Sequence, residues 1–306
     1  MPRPQSGVLP PANRHAVFLT LLLNAGQDAG RQTRRILARI PQILEEVVAS
    51  DTQAGLSCVV AIGAEAWDRL WPNGPRPTML RRFPLVQDGA RAAPRTSADL
   101  FIHVRSERAD LNFDLIRSLR KAFSCCVTTA EEVHTFRYHD MRDLTGFVDG
   151  TENPEGQERV ETALVGLEDA GHAGGSYVHV QRYVHDLDAW ERLSVDEQER
   201  VFGRTKADDV EMAAGVKPAT AHIKRVSIKD NGEELKILRH SMPYGTGAEA
   251  GLYFVSYAKT PEHFERMLIR MIHADEAGNY DHLMHYTRAV TGAAFFAPSL
   301  DFLLES

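Results

Sequence analysis

Three short stretches of this 306-residue chain carry residue types and spacings that could do chemistry. The run Gly146-Phe-Val-Asp-Gly-Thr-Glu-Asn-Pro154 sets a carboxylate, Asp149, beside a glycine and three residues after another. Asp-Gly and Asn-Pro are ordinary turn punctuation, so on its own this is a loop. Its functional reading is that glycine lets the backbone approach a bound group closely and holds Asp149 toward a cavity. An ordinary carboxylate there would stay ionised into mild acid, with a pKa of about 3.9. His222, in Pro218-Ala-Thr-Ala-His-Ile-Lys, is one of 13 histidines and is either a satisfied core residue or a metal ligand. Arg239, in Leu238-Arg-His-Ser-Met-Pro-Tyr-Gly245, is a surface cation at a strand end unless it faces a site, where a guanidinium would stabilise developing negative charge.

These residues need a scaffold, and hydrophobic periodicity predicts one. Strands are expected over 17–23, 58–62, 100–104, 132–138, 176–184, 223–228, 234–239 and 252–257, with a turn over 26–30. A helix follows the first strand, carrying Leu37, Ile40, Leu44 and Val47 on one face, and Pro41 predicts a kink or break in it. A second helix begins near Leu111, and a third carries Phe264, Met267, Leu268 and Met271. Ser194 and Glu197 spell a capping box for a short helix closed by Gly203. The glycine-rich connection over 139–175 reads as a functional loop or a domain junction. Strands outnumber what alternating βαβ units would supply, and a strand-then-helix pattern recurs late in each half. The expectation is therefore an α+β chain of two domains with antiparallel sheets, divided into 1–145 and 146–306.

Composition narrows the function classes. Hydrophobic residues at 43% and charged residues at 25% match a globular fold. A net charge of −7 gives no positive field for a phosphate backbone, so nucleic acid is not an expected partner. No apolar stretch approaches the roughly 20 residues of a membrane span, and the N-terminus lacks the pattern of a secretory signal, so a cytoplasmic location is expected. Cys125 and Cys126 are adjacent and Cys58 lies in a strand-like run, so all three are expected to be buried and unpaired. Neither GxGxxG nor GxxxxGK[ST] occurs, which removes support for nucleotide binding.

The run 146–154 resembles the GxxDG signature of dye-decolorizing peroxidases, and the resemblance extends over nearly the whole chain. It includes a later histidine, His222, an Arg-x-[Asn/Ser]-x-Pro segment at Arg239, and the closing Thr291-Gly-Ala-Ala-Phe-Phe-Ala-Pro-Ser299. The chain is similar to the compact, bacterial B-type members in size. The resemblance implies two ferredoxin-like domains with haem b in the C-terminal one. Because Cys-x-x-Cys-His is absent, the haem would be held non-covalently. The implied activity is reduction of H2O2 and oxidation of dyes or other small one-electron donors through a ferryl intermediate. The alternative is a haem-binding or haem-handling protein with incidental peroxidase activity, and a cofactor-free ferredoxin-like binding domain remains if the signature is accidental.

By the same resemblance His222 is the haem-iron ligand, Arg239 lies on the opposite, distal side and Asp149 assists O–O cleavage. Ser241 stands where some relatives carry Asn, and Leu252 and Phe254 line the pocket or pack in an ordinary strand. Asp281 is the candidate acceptor for the second N–H of His222, or else a first-turn carboxylate on a helix beginning near Asn279. Glu152 could sit near a propionate or a Mn²⁺ ion, though a loop carboxylate is the simpler reading. His282 and His285 share a helix face without an assignable third ligand. Trp67, Trp71, Trp190 and the tyrosines could relay electrons, but most aromatics only pack. The protein is expected to be a homo-oligomer without an encapsulin-targeting tail.

Overall fold

The structure, a computed structural model describing residues 2–305, is an α+β fold built on antiparallel strands. The first half supplies β1 (His15–Leu23), α1 (Gln27–Val48), β2 (Ser57–Gly63), β3 (Leu100–Ser106), α2 (Ala109–Phe123) and β4 (Val127–Phe136). The second supplies β5 (Ser176–His185), α3 (Val195–Phe202), α4 (His222–Val226), β6 (Leu238–Arg239), β7 (Met242–Gly245), β8 (Ala250–Ala258), α5 (Glu262–Ile272), β9 (Thr287–Ala289) and β10 (Ala293–Ala297). The first half orders its strands β2-β3-β1-β4, and in the second β6 and β7 lie end to end along one edge of β8, followed by β5 and β10. Both are ferredoxin-like orders, so the repeated pattern in the sequence reflects a repeated unit. Phe295 and Phe296 of β10 pair with Gly63 and Ile62 of β2, which joins the two halves into one ten-stranded sheet.

Side-chain alternation gives each half two different faces. On β1, Val17, Leu19 and Leu21 pack with Leu37 and Ile40 of α1 and Leu115 and Leu119 of α2. Ala16 and Phe18 point the other way, and Phe18 stacks on Tyr253 of β8 with ring centroids 4.2 Å apart. The inner faces of the two halves thus close on each other. The outer face of the second half is left for α5, whose Phe264, Met267 and Leu268 cover it.

Several local expectations change. The helix α1 begins directly after Gly26 and runs unbroken through Pro41. Loss of a backbone bond there costs roughly 3 kcal/mol. Burial of Leu37, Ile40 and Ile43 returns about 1.5–3 kcal/mol each. The segment 223–228 is not a strand. Residues His222–Val226 form a helix that directs Ile223 and Val226, three apart, toward one cavity while Arg225 bonds the Arg270 carbonyl. Within 234–239 only Leu238–Arg239 joins the main sheet. The connection 139–175 holds a helix, Gly156–Ala163, and a 3-10 turn, Leu167–His172. Cys125 is exposed, whereas Cys58 and Cys126 are buried. The capping box at Ser194 and Glu197 and the closing Gly203 are present as expected. Among the described residues no helix is long and apolar enough to cross a membrane.

Phe296 belongs to β10 but is fully buried in the core of the first half, edge-on to Trp67 and Tyr177. Phe296→Ala is expected to cost about 3–5 kcal/mol and to lower the midpoint of a single thermal transition seen by calorimetry. An unchanged midpoint, or two resolved transitions in the unmutated protein, would contradict this coupling of the halves.

Candidate functional site

Alternation along β5 and β8 also builds the site. Gln181, Tyr183 and His185 of β5 and Leu252 and Phe254 of β8 share one face, and with α4, α5 and the turn carrying Asp149 they enclose a large cavity. Its walls are mostly apolar, formed by side chains such as Leu235, Ile237, Met267 and Leu268. The polar groups at its walls, among them Asp143, Asp149, His185, His222 and Arg239, come from separate elements.

His222 is the first residue of α4, following the extended Ala221. Its Nδ1 lies 2.6 Å from Oδ2 of Asp281, a residue with no solvent exposure. Asp281 Oδ1 accepts the Leu283 N–H at 2.9 Å, which caps a 3-10 turn over His282–His285. No helix begins near Asn279; Asp281 instead caps the 3-10 turn from His282 with one oxygen and faces the His222 imidazole with the other. The His282 N–H donates to the Thr220 carbonyl at 3.0 Å and pins the two segments side by side. A carboxylate accepts and cannot donate, so Nδ1 carries the proton and the Nε2 lone pair remains available in the cavity.

Asp149 and Arg239 form another corner. The Asp149 N–H bonds the Met141 carbonyl at 2.8 Å, and Gly150 follows at φ 93°, in the left-handed region that favours glycine. Asp149 Oδ1 and Arg239 Nη2 lie 3.9 Å apart, too far for a hydrogen bond. Each side chain keeps only a little over a fifth of its exposure. Burial pushes the Asp149 carboxyl up from its usual value, the Arg239 guanidinium opposes this, and Asp143 adds to the rise. The expectation of an ordinary carboxylate is thereby corrected. Burial also opposes ionisation of Asp143, but the charge and hydrogen bond of His185, with help from Thr145, outweigh it and hold that carboxyl below its usual range.

Of the residues singled out in the sequence, Asp149, His222, Arg239, Leu252 and Phe254 line the cavity, and Asp281 stands behind His222. Ser241 is not among the lining residues, and its Oγ accepts the Val255 N–H at 3.3 Å. Glu152 is at the rim, paired with Arg204 at 2.7 Å. His285 bonds the Tyr280 hydroxyl, and no cluster of three potential metal-ligating side chains occurs among the described residues. Trp67 and Trp190 are buried, and Trp190 donates to the Thr145 carbonyl. Sequence reasoning missed Asp143, His185 and Asn153. The period-2 pattern of β5 could have placed His185 beside Tyr183, and Asn153 was visible within the 146–154 run.

The residues fit the haem that the resemblance implies. A flat apolar macrocycle needs apolar walls, its iron needs a neutral imidazole nitrogen, and its carboxylates need nearby cations. The cavity offers these in Leu235, Leu252, Phe254 and Met267, in His222, and in Arg204, Lys236 and Arg239.

Two family models match in succession, Dyp-type peroxidase N-terminal over residues 5–137 and Dyp-type peroxidase C-terminal over residues 140–302. A dye-decolorizing peroxidase of Mycolicibacterium paratuberculosis is 45% identical, covering 97% of this chain and 84% of its own length. The cryo-EM structure of the encapsulated DyP-type peroxidase from Mycobacterium smegmatis matches with a TM-score of 0.96 at 44% identity, over 100% of this chain and 98% of that one. A Rhodococcus jostii RHA1 DypB variant in complex with heme matches with a TM-score of 0.95 at 41% identity, over 98% and 97% of the two chains.

In the ligand-free protein the Asp149 carboxyl is expected to titrate above the usual value of about 3.9. Arg239→Leu should raise it further, because the guanidinium favours the ionised form. Carboxyl carbon chemical shifts followed against pH check this, and a midpoint at or below the usual value would contradict it.

Proposed function

We propose, from the premise that this chain belongs to the dye-decolorizing peroxidase family and is a haem-dependent peroxidase, a division of labour among the residues of its cavity. The carrying observation is the His222–Asp281 pair, whose polarity leaves Nε2 as the donor atom available in an apolar-walled cavity that also holds Asp149 and Arg239. When bound, haem supplies the iron at which peroxide is reduced and the oxidising equivalents that electron donors then consume. His222 would hold the haem iron through Nε2, and Asp281 would fix its tautomer and strengthen it as a donor. Leu252 and Phe254 exclude water beside the reacting centre.

Asp149 takes the proton from one peroxide oxygen and returns it to the other, leaving as water, which requires the carboxylate to be ionised at the start. Arg239 donates N–H bonds to the negative charge that builds on oxygen as the O–O bond breaks. The 3.9 Å gap between the two side chains suits this account, because neither group is consumed by a hydrogen bond to the other. Ser241, whose Oγ accepts the Val255 N–H, contributes by tying the link between β6 and β7 to β8 rather than by touching substrate.

The partners are H2O2 and a small reducing substrate. We further propose the domain division at 145/146, a homo-oligomer and a cytoplasmic location, the last supported by three cysteines that are all free thiols. The M. smegmatis neighbour is encapsulated, and co-purification measures whether this chain associates with a shell protein.

Stopped-flow mixing of the haem-loaded protein with H2O2 tests the assignment. Arg239→Leu is expected to slow the peroxide step by about 10²–10³-fold, as loss of one oxyanion donor does. Asp149→Asn should slow it less, since water can partly replace the base. The unmutated rate should fall as pH drops through the raised Asp149 carboxyl, because only the ionised form accepts the proton. Asp149→Asn should abolish that acid limb. Unmutated rates in both variants would remove these residues from the mechanism, and a far larger loss in Asp149→Asn would reverse their ranking.

A further inference from the structure

Asp149 and Arg239 are held in register by neither a mutual hydrogen bond nor a direct backbone contact between them, so something else must set their spacing. The side-chain amide of Asn153 is the connection. Its Nδ2 donates to the Arg239 carbonyl at 2.9 Å, and its Oδ1 accepts the Arg239 N–H at 2.9 Å. A planar amide that meets both the donor and the acceptor of one residue imitates a neighbouring strand. The other edge of Arg239 pairs with Ser256 of β8, so the backbone of this residue is flanked on both sides.

Asn153 is also tied to Asp149. Its own N–H bonds the Gly150 carbonyl at 2.9 Å, closing a turn that starts one residue after Asp149. A Cβ added at Gly150 would come within 3.2 Å of Asn153 Nδ2, so the glycine gives the amide room as well as the turn its left-handed backbone. Asn153 itself is not among the cavity-lining residues.

We infer that Asn153 is a positioning residue that fixes the Arg239 guanidinium relative to the Asp149 carboxylate. The inference rests on the proposed roles of those two residues. Removing the amide leaves the Arg239 carbonyl and N–H without this partner and lets the β6 end move, and a misplacement near 1 Å can cost about 10²-fold in rate. Asn153→Asp keeps an acceptor for the Arg239 N–H but places a carboxylate oxygen against the Arg239 carbonyl, so it should be no better than partial.

The test reads fluoride affinity of the ferric haem-loaded protein, since a small anion beside the iron senses a properly placed guanidinium without any turnover. Haem content and the rate of the peroxide step are measured alongside. Asn153→Ala should retain haem, weaken fluoride binding about 10-fold and slow the peroxide step about 10–100-fold, with Asn153→Asp intermediate or equal. In an Arg239→Leu background, Asn153→Ala should add no further loss of fluoride affinity, as expected of residues acting as one unit. Unchanged fluoride affinity in Asn153→Ala, an additive loss in the double variant, or loss of haem from both Asn153 variants would each overturn the inference. Unchanged affinity in Arg239→Leu alone would overturn instead the role of Arg239, and the clamp with it.

Discussion

A carboxylate with no solvent exposure is the constraint on which this site depends. Burying an unpaired Asp281 would cost several kcal/mol, yet its two oxygens are met by the Leu283 N–H and by His222 Nδ1 at 2.6 Å. Satisfying the charge in this way decides three other matters. It puts the imidazole proton on Nδ1, it orients the ring so that Nε2 is the available nitrogen, and it holds together segments 59 residues apart in sequence. Thr220 and His282 support the same junction through the backbone. The nitrogen proposed to hold the haem iron is thus set by a structural requirement of the fold.

The rest of the scaffold solves a packing problem around that pair. A ferredoxin-like sheet has one face to bury in its own helices and another to cover. Here the inner faces of the two halves cover each other through contacts such as Phe18 on Tyr253. The outer face of the second half is then free to carry Gln181, Tyr183 and His185 on alternate positions of β5 toward a cavity. Polar groups admitted to such a place are costly, and the site shows two responses. Asp143 is stabilised as a charge by His185 and Thr145, while for Asp149 burial outweighs Arg239, His222 and the Gly150 N–H and pushes it toward its neutral form. A carboxylate whose pKa is raised in this way takes up a proton more readily than its stabilised neighbour.

Much of this was legible in the sequence because it follows from local pattern. The apolar run of β1, the alternation of β5 and the stripe of α5 mark their elements directly, and the 146–154 run marks the turn that presents Asp149. The failures share a physical origin. The run 223–228 is too short for its period to separate strand from helix, and only the cavity contacts of Ile223 and Val226 decide it. Pro41 breaks a helix in isolation but not one whose flanking residues are buried. His185, Asp143 and Asn153 gained their roles from partners 42 and 86 residues away, a relation no local period records.

Resonance Raman spectroscopy of the reduced, haem-loaded protein tests the central claim most directly, because the iron–histidine stretch reports the ligand and the strength of its carboxylate-backed imidazole. The unmutated protein should show that band at the high frequency of a strongly donating imidazole. His222→Ala should lack it and regain a band only when free imidazole is added. An unchanged iron–histidine band in His222→Ala would show that another residue holds the iron, and the account built on His222 and Asp281 would fail.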